Sequence, residues 1–402
     1  MATMPTINEK IDRLFNVKKF NVIAFALIAA VVLIAYSNTF SSSFHFDDSP
    51  SIVENAGIKQ PATWNNIMSL LHGTRPVINL SLLLNYKLSG LNVVGWHIFN
   101  VSFHIANSVF VYLLFLWTLT LPALRPRYGY RAKRMALFGA LLFAAHPIQT
   151  EAVTYIISRT ELIATFFYLA AMLLFIKGAT TRKSGYYGGA FLSGVLAMGS
   201  KEWAVTLPAV LFLYDIFFLS DRSLKTALTR WKAHGLIALP WGVLIYTMST
   251  TNLSGAGFSV TGTNGITPGT YLLTSFNVIW TYIRLLFLPV NQNLDYDYPL
   301  AMTLFEFPTL LSFIGHVLVA GAALWLYAKK KWTLIPFGVA WFYITLSPTQ
   351  SFVPILDKIF EHRVYLPSIG FFLFFIAAFE GVFEWIDKKR AEGGQKAGAQ
   401  AA

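Results

Sequence analysis

The chain contains no cysteine, which excludes disulfides, thiolate nucleophiles and cysteine-ligated metals. Charge is scarce as well. Asp, Glu, Lys and Arg make up 12% of the 402 residues, about half the share that a soluble domain carries. Only 19 residues are acidic, against 31 basic, so each carboxylate needs a reason to be present. Apolar residues fill the space: they are 55% of the chain, and the mean hydropathy is +0.54. They recur in runs of roughly 17–25 residues, the length a helix needs to cross a bilayer. Segments of about ten residues with period-two alternation, the mark of a membrane β-barrel, do not stand out. The composition predicts an all-α polytopic membrane protein.

The net charge of +12 acquires meaning from its placement. Basic clusters lie at Lys10–Lys19, Arg125–Arg134, Lys177–Lys183, Arg222–Lys232, Lys329–Lys331 and Lys388–Lys396, in short connections at alternate ends of the apolar runs. That is the positive-inside pattern, so these connections read as cytoplasmic. Nucleic-acid binding is the weaker reading, because no basic stripe lies on a soluble face. The run Asn21–Tyr36 follows a basic segment like a signal peptide, but with so many spans after it, it reads as an uncleaved first helix.

Spans are expected near 20–38, 94–121, 135–147, 161–177, 187–200, 203–219, 235–250, 304–327, 333–347 and 366–386. The segment 269–289 is apolar enough to cross. A full crossing there would put Lys329–Lys331 outside, so a re-entrant, tilted or interfacial helix is expected, within ten or eleven helices in all. Residues 1–19 then form a cytoplasmic N-terminus, 20–386 a membrane domain, and 387–402 a disordered cytoplasmic tail. The connections 39–93, 148–160, 200–203, 251–268, 290–303 and 348–365 face outward. In the first, Trp64, Ile67, Met68 and Leu71 recur at helical spacing. A second short apolar helix follows "HGTRP", and both read as helices lying in the interface plane. The Gly/Ser/Thr-rich 252–269 reads as a mobile loop suited to gating a substrate.

The unusual polar groups collect on the outward side. Asp47 and Asp48, in "SSSFHFDDSPSIVEN", are a turn with solvated charges, a metal-binding pair or a general base. In "GWHIFNVSFHIAN", His97, Asn100 and His104 line one helix face, where structural hydrogen bonding outweighs a metal site. His146, Glu151, Arg159 and Glu161 share one helix-break-helix; they pair with one another or, for Arg159, grip a lipid phosphate. Lys201 and Glu202 sit between two apolar runs with almost no loop, and as neighbours they point to separate partners. Arg284 is a snorkelling cation or a phosphate ligand. Glu361, His362, Arg363 and Tyr365 precede the final span, either paired among themselves or arranged around a phosphate headgroup. Arg75 belongs to the same outward set. Together these point to a site at the outer membrane boundary with a carboxylate base and several cations.

At this point the order of motifs resembles a known family. "FHFDDSPSIVENAGI", "TRPVINLSLLLNYKLSGLNVVGWHIFNVSFHIAN", "FAAHPIQTEAVTYIISRTELIATFFYLAAMLLF", "MGSKEWAVTLPAVLFLYDIFF" and "FEHRVYLPSIGFFL" look like the membrane portion of the tetratricopeptide-repeat transmembrane O-mannosyltransferases and their bacterial relatives. These are glycosyltransferases of the GT-C class, and the likeness covers roughly 40–386. It implies a GT-C fold of the A subclass with two juxtamembrane helices in the first outer loop. It implies inverting transfer of mannose or a similar hexose from a polyprenyl-phosphate donor to an acceptor hydroxyl on a protein or glycan, in a bacterial inner membrane with the site on the periplasmic face. The acidic pair maps onto Asp47 and Asp48 as the catalytic feature. Donor-phosphate contacts fall to Arg159, Lys201, Arg284 and Arg363. Arg75, His97, His146, Glu151, Glu202, Glu361, His362 and Tyr365 are further candidates. No cofactor is required; a divalent metal on Asp47 and Asp48 is the alternative, with few ligands to hold it. The animal members continue into repeats, and no repeat follows the final span here. A transporter or flippase of lipid-linked sugars is the rival from another class, though transporters place their ionisable groups near the midplane with repeat symmetry. An assembly scaffold is the third.

Overall fold

The structure is a computed structural model that describes residues 19–242, 245, 266–329 and 332–400. The described residues are overwhelmingly helical. The helices of eight residues or more are α1 Phe20–Ala35, α2 Trp64–Leu71, α3 Pro76–Ser89, α4 Val93–Thr120, α5 Ala132–Ala145, α6 Arg159–Thr181, α7 Gly185–Met198, α8 Leu207–Tyr214, α9 Trp231–Ala238, α10 Pro268–Phe287, α11 Phe307–Ala328, α12 Leu334–Leu346 and α13 Pro367–Gln400. Helix α4 is central, packing on α1, α3, α5 and α6; α13 closes the bundle against α12 and α5.

Burial is sorted in the sense that lipid demands. In α1 a stripe of Ala24, Ile28 and Val32 is fully buried, while Val22, Ile23 and Ile34 lie exposed. Helix α11 turns Leu311, Leu318, Leu324 and Trp325 outward. Apolar side chains on the outside cost nothing where the surroundings are hydrocarbon, and every backbone polar group is satisfied within a helix. Among the described residues, five helices are long and apolar enough to cross a membrane. A sixth joins them if Ala132–Ala145 and Pro147–Thr154, bent by 52°, form one span. The chain is therefore a multi-pass membrane protein.

That count is lower than the expected ten or eleven, and length explains the gap. Helices α1 and α12 are apolar but have 16 and 13 residues, which at 1.5 Å per residue fall short of a hydrocarbon core about 30 Å thick. The run 203–219 is one of the five, although it is built from a 3₁₀ turn Glu202–Thr206, α8 and a π turn Asp215–Leu219. Most of the run expected at 235–250 beyond α9, and the expected gating loop up to residue 265, lie outside the described residues.

Helix α10, over the ambiguous segment, stays at one end of the bundle. The Tyr271 hydroxyl in its first turn donates to the Thr349 carbonyl at 2.6 Å, and Tyr282 donates to the Phe360 carbonyl at 2.9 Å. In its last turn the Leu286 carbonyl contacts His146 Nε2 at 3.1 Å. All three partners lie at the end of the bundle where α5 and α12 finish and α13 begins. The two short helices expected in the first outer loop are α2 and α3. Over the expected tail, α13 continues to Gln400.

At the opposite end, a helix-length away, the basic clusters find acids. Arg127 pairs with Glu384 at 2.7 Å, Arg131 and Arg134 with Glu380, and Arg230 with the buried Asp215 at 2.7 Å. Helices α12 and α13 touch backbone to backbone: a Cβ built on Gly370 would stand 2.5 Å from the Gly338 carbonyl oxygen, and one on Gly338 equally close to that of Gly370. Backbone cannot yield as a side-chain tip does. Gly370→Val is therefore expected to destabilise the bundle by about 1–3 kcal/mol or more, read as a lower melting temperature in detergent. A substitution to Val at Gly188, where a Cβ meets nothing within 4 Å, serves as the control.

Candidate active site

The acidic pair after α1 is split by its own turn. The Asp48 N–H bonds the His45 carbonyl at 2.9 Å, and Asp48 Oδ2 accepts the His45 N–H at 3.1 Å. Phe46 takes a φ of +43° to close this turn. Asp48 Oδ1 accepts the N–H of Ile157 at 2.8 Å from across the bundle end, and the residue is buried. Asp47 is exposed, and its backbone N–H donates to the Tyr155 hydroxyl at 2.8 Å. Burial pushes the Asp48 carboxyl up, opposed by its two backbone donors and by Arg159.

Asp48 opens onto a cavity of about 300 Å³ lined by Ser42, Ser43, His45, Thr150, Glu151, Thr154, Tyr155, Gln292, Asn293, Leu294 and Glu361. Three carboxylates thus reach one cavity from three distant segments, and each is held. Glu151 receives the His362 N–H at Oε2 (2.9 Å) and His362 Nδ1 at Oε1 (2.5 Å). Glu361 receives the Gln292 amide (2.5 Å), the Asn293 N–H (2.8 Å) and the Tyr296 hydroxyl (2.5 Å), which fastens the 290s connection over the cavity. Burial raises the Glu151 carboxyl to about 7 and drives the His362 imidazole well below its usual range.

Behind His362 runs a second layer. Its Nε2 lies 3.9 Å from Glu161 Oε1. Glu161, buried, is gripped by Lys201 Nζ at 2.6 Å and Trp203 Nε1 at 2.7 Å. Beyond Lys201, Arg75 and Glu202 form a bidentate pair at 2.9 and 3.0 Å.

Several expected phosphate ligands are placed elsewhere. Arg159 is fully buried, its guanidinium 4.7 and 4.5 Å from the Trp96 and Phe99 rings and bonded to Asn85 at 2.9 Å. These contacts tie α6 to α3 and α4, and Arg159 does not line the Asp48 cavity. Lys201 is committed to Glu161. Arg284 is exposed and donates to the Val290 carbonyl at 3.0 Å. Arg363 lies over the Phe360 ring at 5.4 Å, and its buried Nη1 has no hydrogen-bond partner among the described residues. Of the four, Arg159 and Arg363 each keep a buried Nη1 without a hydrogen-bond partner among the described residues, and Arg284 is open to solvent.

The remaining candidates are scaffolding. His97 bonds the Ser42 carbonyl at 3.0 Å, and His146 is held between Leu286 and Ile148. Tyr365 is fully buried and meets His104 at 2.7 Å and Asn107 at 3.2 Å, so its hydroxyl knits helices rather than a headgroup. Along the polar stripe, Asn100 donates to the Val153 and Ile156 carbonyls at 3.2 Å, and His104 also contacts the Ala144 carbonyl at 3.0 Å. Among the described residues no three His, Asp or Glu side chains converge as metal ligands; Asp47 and Asp48 themselves diverge, one to solvent and one to the cavity. Sequence reasoning missed His45, Thr150, Tyr155, Gln292, Asn293 and Tyr296. His45, Thr150 and Tyr155 lie inside quoted motifs, whereas Gln292, Asn293 and Tyr296 lie in the outward connection 290–303 with no motif beside them.

Comparison with known proteins agrees with the motif order. No family model and no solved structure matches the chain. Mouse "Protein O-mannosyl-transferase TMTC2" is 33% identical over 223 residues, 51% of this chain and 25% of the relative. Mouse TMTC3 is 32% identical over 219 residues, 50% of this chain and 22% of the relative. Human TMTC4 is 25% identical over 418 aligned residues, 90% of this chain and 56% of the relative. The chain is a homologue of the TMTC protein O-mannosyl-transferases. It spans about half or less of the length of the TMTC proteins it matches, and the 90% match to TMTC4 takes in most of the bundle that frames the cavity.

Proposed function

We propose that the chain is a membrane glycosyltransferase that moves mannose or a similar hexose from a polyprenyl-phosphate donor to an acceptor hydroxyl of a protein on the extracytoplasmic face, with inversion. The observation that carries this is the Asp48 cavity. It lies at the bundle end opposite the basic clusters and is lined by carboxylates, hydroxyls and amides, in a chain homologous to proteins named for O-mannosyl transfer.

The chemistry follows from the groups present. A hydroxyl is a weak nucleophile at neutral pH, so a positioned base is required. Asp48 takes the acceptor hydroxyl proton as the oxygen bonds to the anomeric carbon. The bond from that carbon to the phosphate oxygen breaks on the opposite side, which inverts configuration. The leaving lipid phosphate keeps the electron pair, and Arg363 and Arg284 stabilise its charge. A lipid-linked donor also has a berth for its chain. Beneath α10, an almost wholly apolar cavity of about 320 Å³ lies between α11, α12 and α13, with Trp280, Ile283, Leu326, Phe342 and Phe374 in its wall. Helix α10 therefore stands between an apolar cavity and the site loop that its Tyr282 bonds.

The test is transfer of radiolabelled mannose from polyprenyl-phosphate mannose to a Ser/Thr-rich acceptor protein by the purified chain in nanodiscs. Labelled acceptor is the expected product. Donor crossing the bilayer of proteoliposomes with no labelled acceptor would replace this reading with that of a flippase.

A further inference from the structure

The mechanism above uses one of the three carboxylates in the cavity, and Glu361 spends its oxygens fastening the 290s connection. Glu151 remains. Both of its oxygens are met by His362: the backbone N–H holds one and the ring Nδ1 the other, with the Glu361 backbone N–H as a further donor. A carboxylate offers about four lone-pair positions, so Glu151 keeps acceptor capacity toward the cavity it lines. The His362 ring has little freedom of its own. It stacks on Phe360, with centroids 5.0 Å apart and planes 21° from parallel, and its far nitrogen faces Glu161, itself fixed by Lys201 and Trp203. The charged groups around it are Glu151 from the 150–154 turn, Glu161 on α6, Lys201 ahead of α8, Arg363 alongside and Arg75 beyond Lys201.

What such a cavity takes is restricted by sign. Three carboxylates line it, and these repel a phosphate but accept hydrogen bonds from hydroxyls. The other polar lining groups, among them Ser42, Thr150, Thr154 and Asn293, suit a neutral, hydroxyl-rich ring. We propose that Glu151 is a second substrate-contacting carboxylate of this cavity, accepting hydrogen bonds from hydroxyls of the transferred sugar, and that His362 is the positioning residue that sets it. This rests on the transferase reading. It divides the donor in two: the sugar enters the carboxylate cavity, and the phosphate stays outside it with the cations.

The two nitrogens of His362 make the test selective. Asn at 362 places an amide nitrogen near the Nδ1 position and keeps a donor for Glu151; Gln reaches toward the Nε2 position and Glu161 instead. With polyprenyl-phosphate mannose as donor, His362→Asn is expected to retain turnover within a small factor. His362→Gln and Glu151→Gln are expected to lose about 10²-fold in kcat/KM, the scale of a misplaced substrate contact. Equal losses in the Asn and Gln variants, or better activity in Gln, would overturn the positioning role. The ring-nitrogen NMR signals of His362 in the wild type and in Glu151→Leu give a second reading. A wild type inert toward the donor would count against the transferase, and those signals would then decide the pair: an Nδ1 signal that shifts supports it, and one that does not overturns it.

Discussion

Asp48→Asn is expected to lower sugar transfer by about 10²–10⁴-fold, the usual worth of a positioned general base, whereas Asp47→Asn should change it by only a small factor. The asymmetry comes from the turn that separates the two. Asp48 is buried and faces the cavity, while Asp47 is exposed and makes its hydrogen bonds through its backbone, to Tyr155 and Ser51. The Asn variant also has a structural cost that the measurement must separate from chemistry. Asp48 accepts one backbone N–H at each oxygen, from His45 and Ile157. Asn keeps one acceptor and sets an amide N–H₂ against the other donor, a loss of about 1–3 kcal/mol. A variant that lost only its base should still bind donor with nearly unchanged KM while kcat falls. A variant that lost the turn should lose both, with a lower melting temperature. Full transfer by Asp48→Asn, or its abolition by Asp47→Asn alone, would remove Asp48 from the reaction.

What the sequence disclosed and what it concealed divide along the range of the contacts. Apolar runs and basic connections are local signals, and they were enough for the membrane class, for the position of most helices and for the side on which charges gather. Helices α2 and α3 were legible because periodicity and helix breakers act within a few residues; in the structure Thr63 caps α2, and Pro76 opens α3. Convergence was not legible. Asp48 reaches Ile157 across 109 positions, and His362 reaches Glu151 across 211, so nothing in either neighbourhood announces the other. Arg159 shows the opposite failure. A cation at a span boundary reads as a phosphate ligand, and only the packing of α4 on α6 reveals Trp96 and Phe99 against it. Tyr365 failed in the same way, because its hydroxyl meets His104 and Asn107 from α4 inside the bundle.

The most damaging single change at this end of the bundle should be Lys201→Met. Glu161 is 1% exposed and takes hydrogen bonds from Lys201 and Trp203. Removing the lysine leaves a buried carboxylate with one neutral donor, which costs about 3–5 kcal/mol in comparable buried pairs. The double variant Lys201→Met with Glu161→Gln removes both charges and should recover much of the loss, since an ion pair exchanged for neutral groups of similar volume is often close to neutral in stability. The same cycle tests whether Lys201 binds the donor phosphate. A phosphate ligand would make Lys201→Met a kinetic lesion with an unchanged melting temperature, and Glu161→Gln would not repair it. A structural lysine would show the reverse: a large fall in melting temperature for the single variant, and recovery of fold in the double. In that double variant His362 still holds Glu151 but faces an uncharged amide at position 161, so the activity it keeps measures how much the cavity depends on the layer behind it.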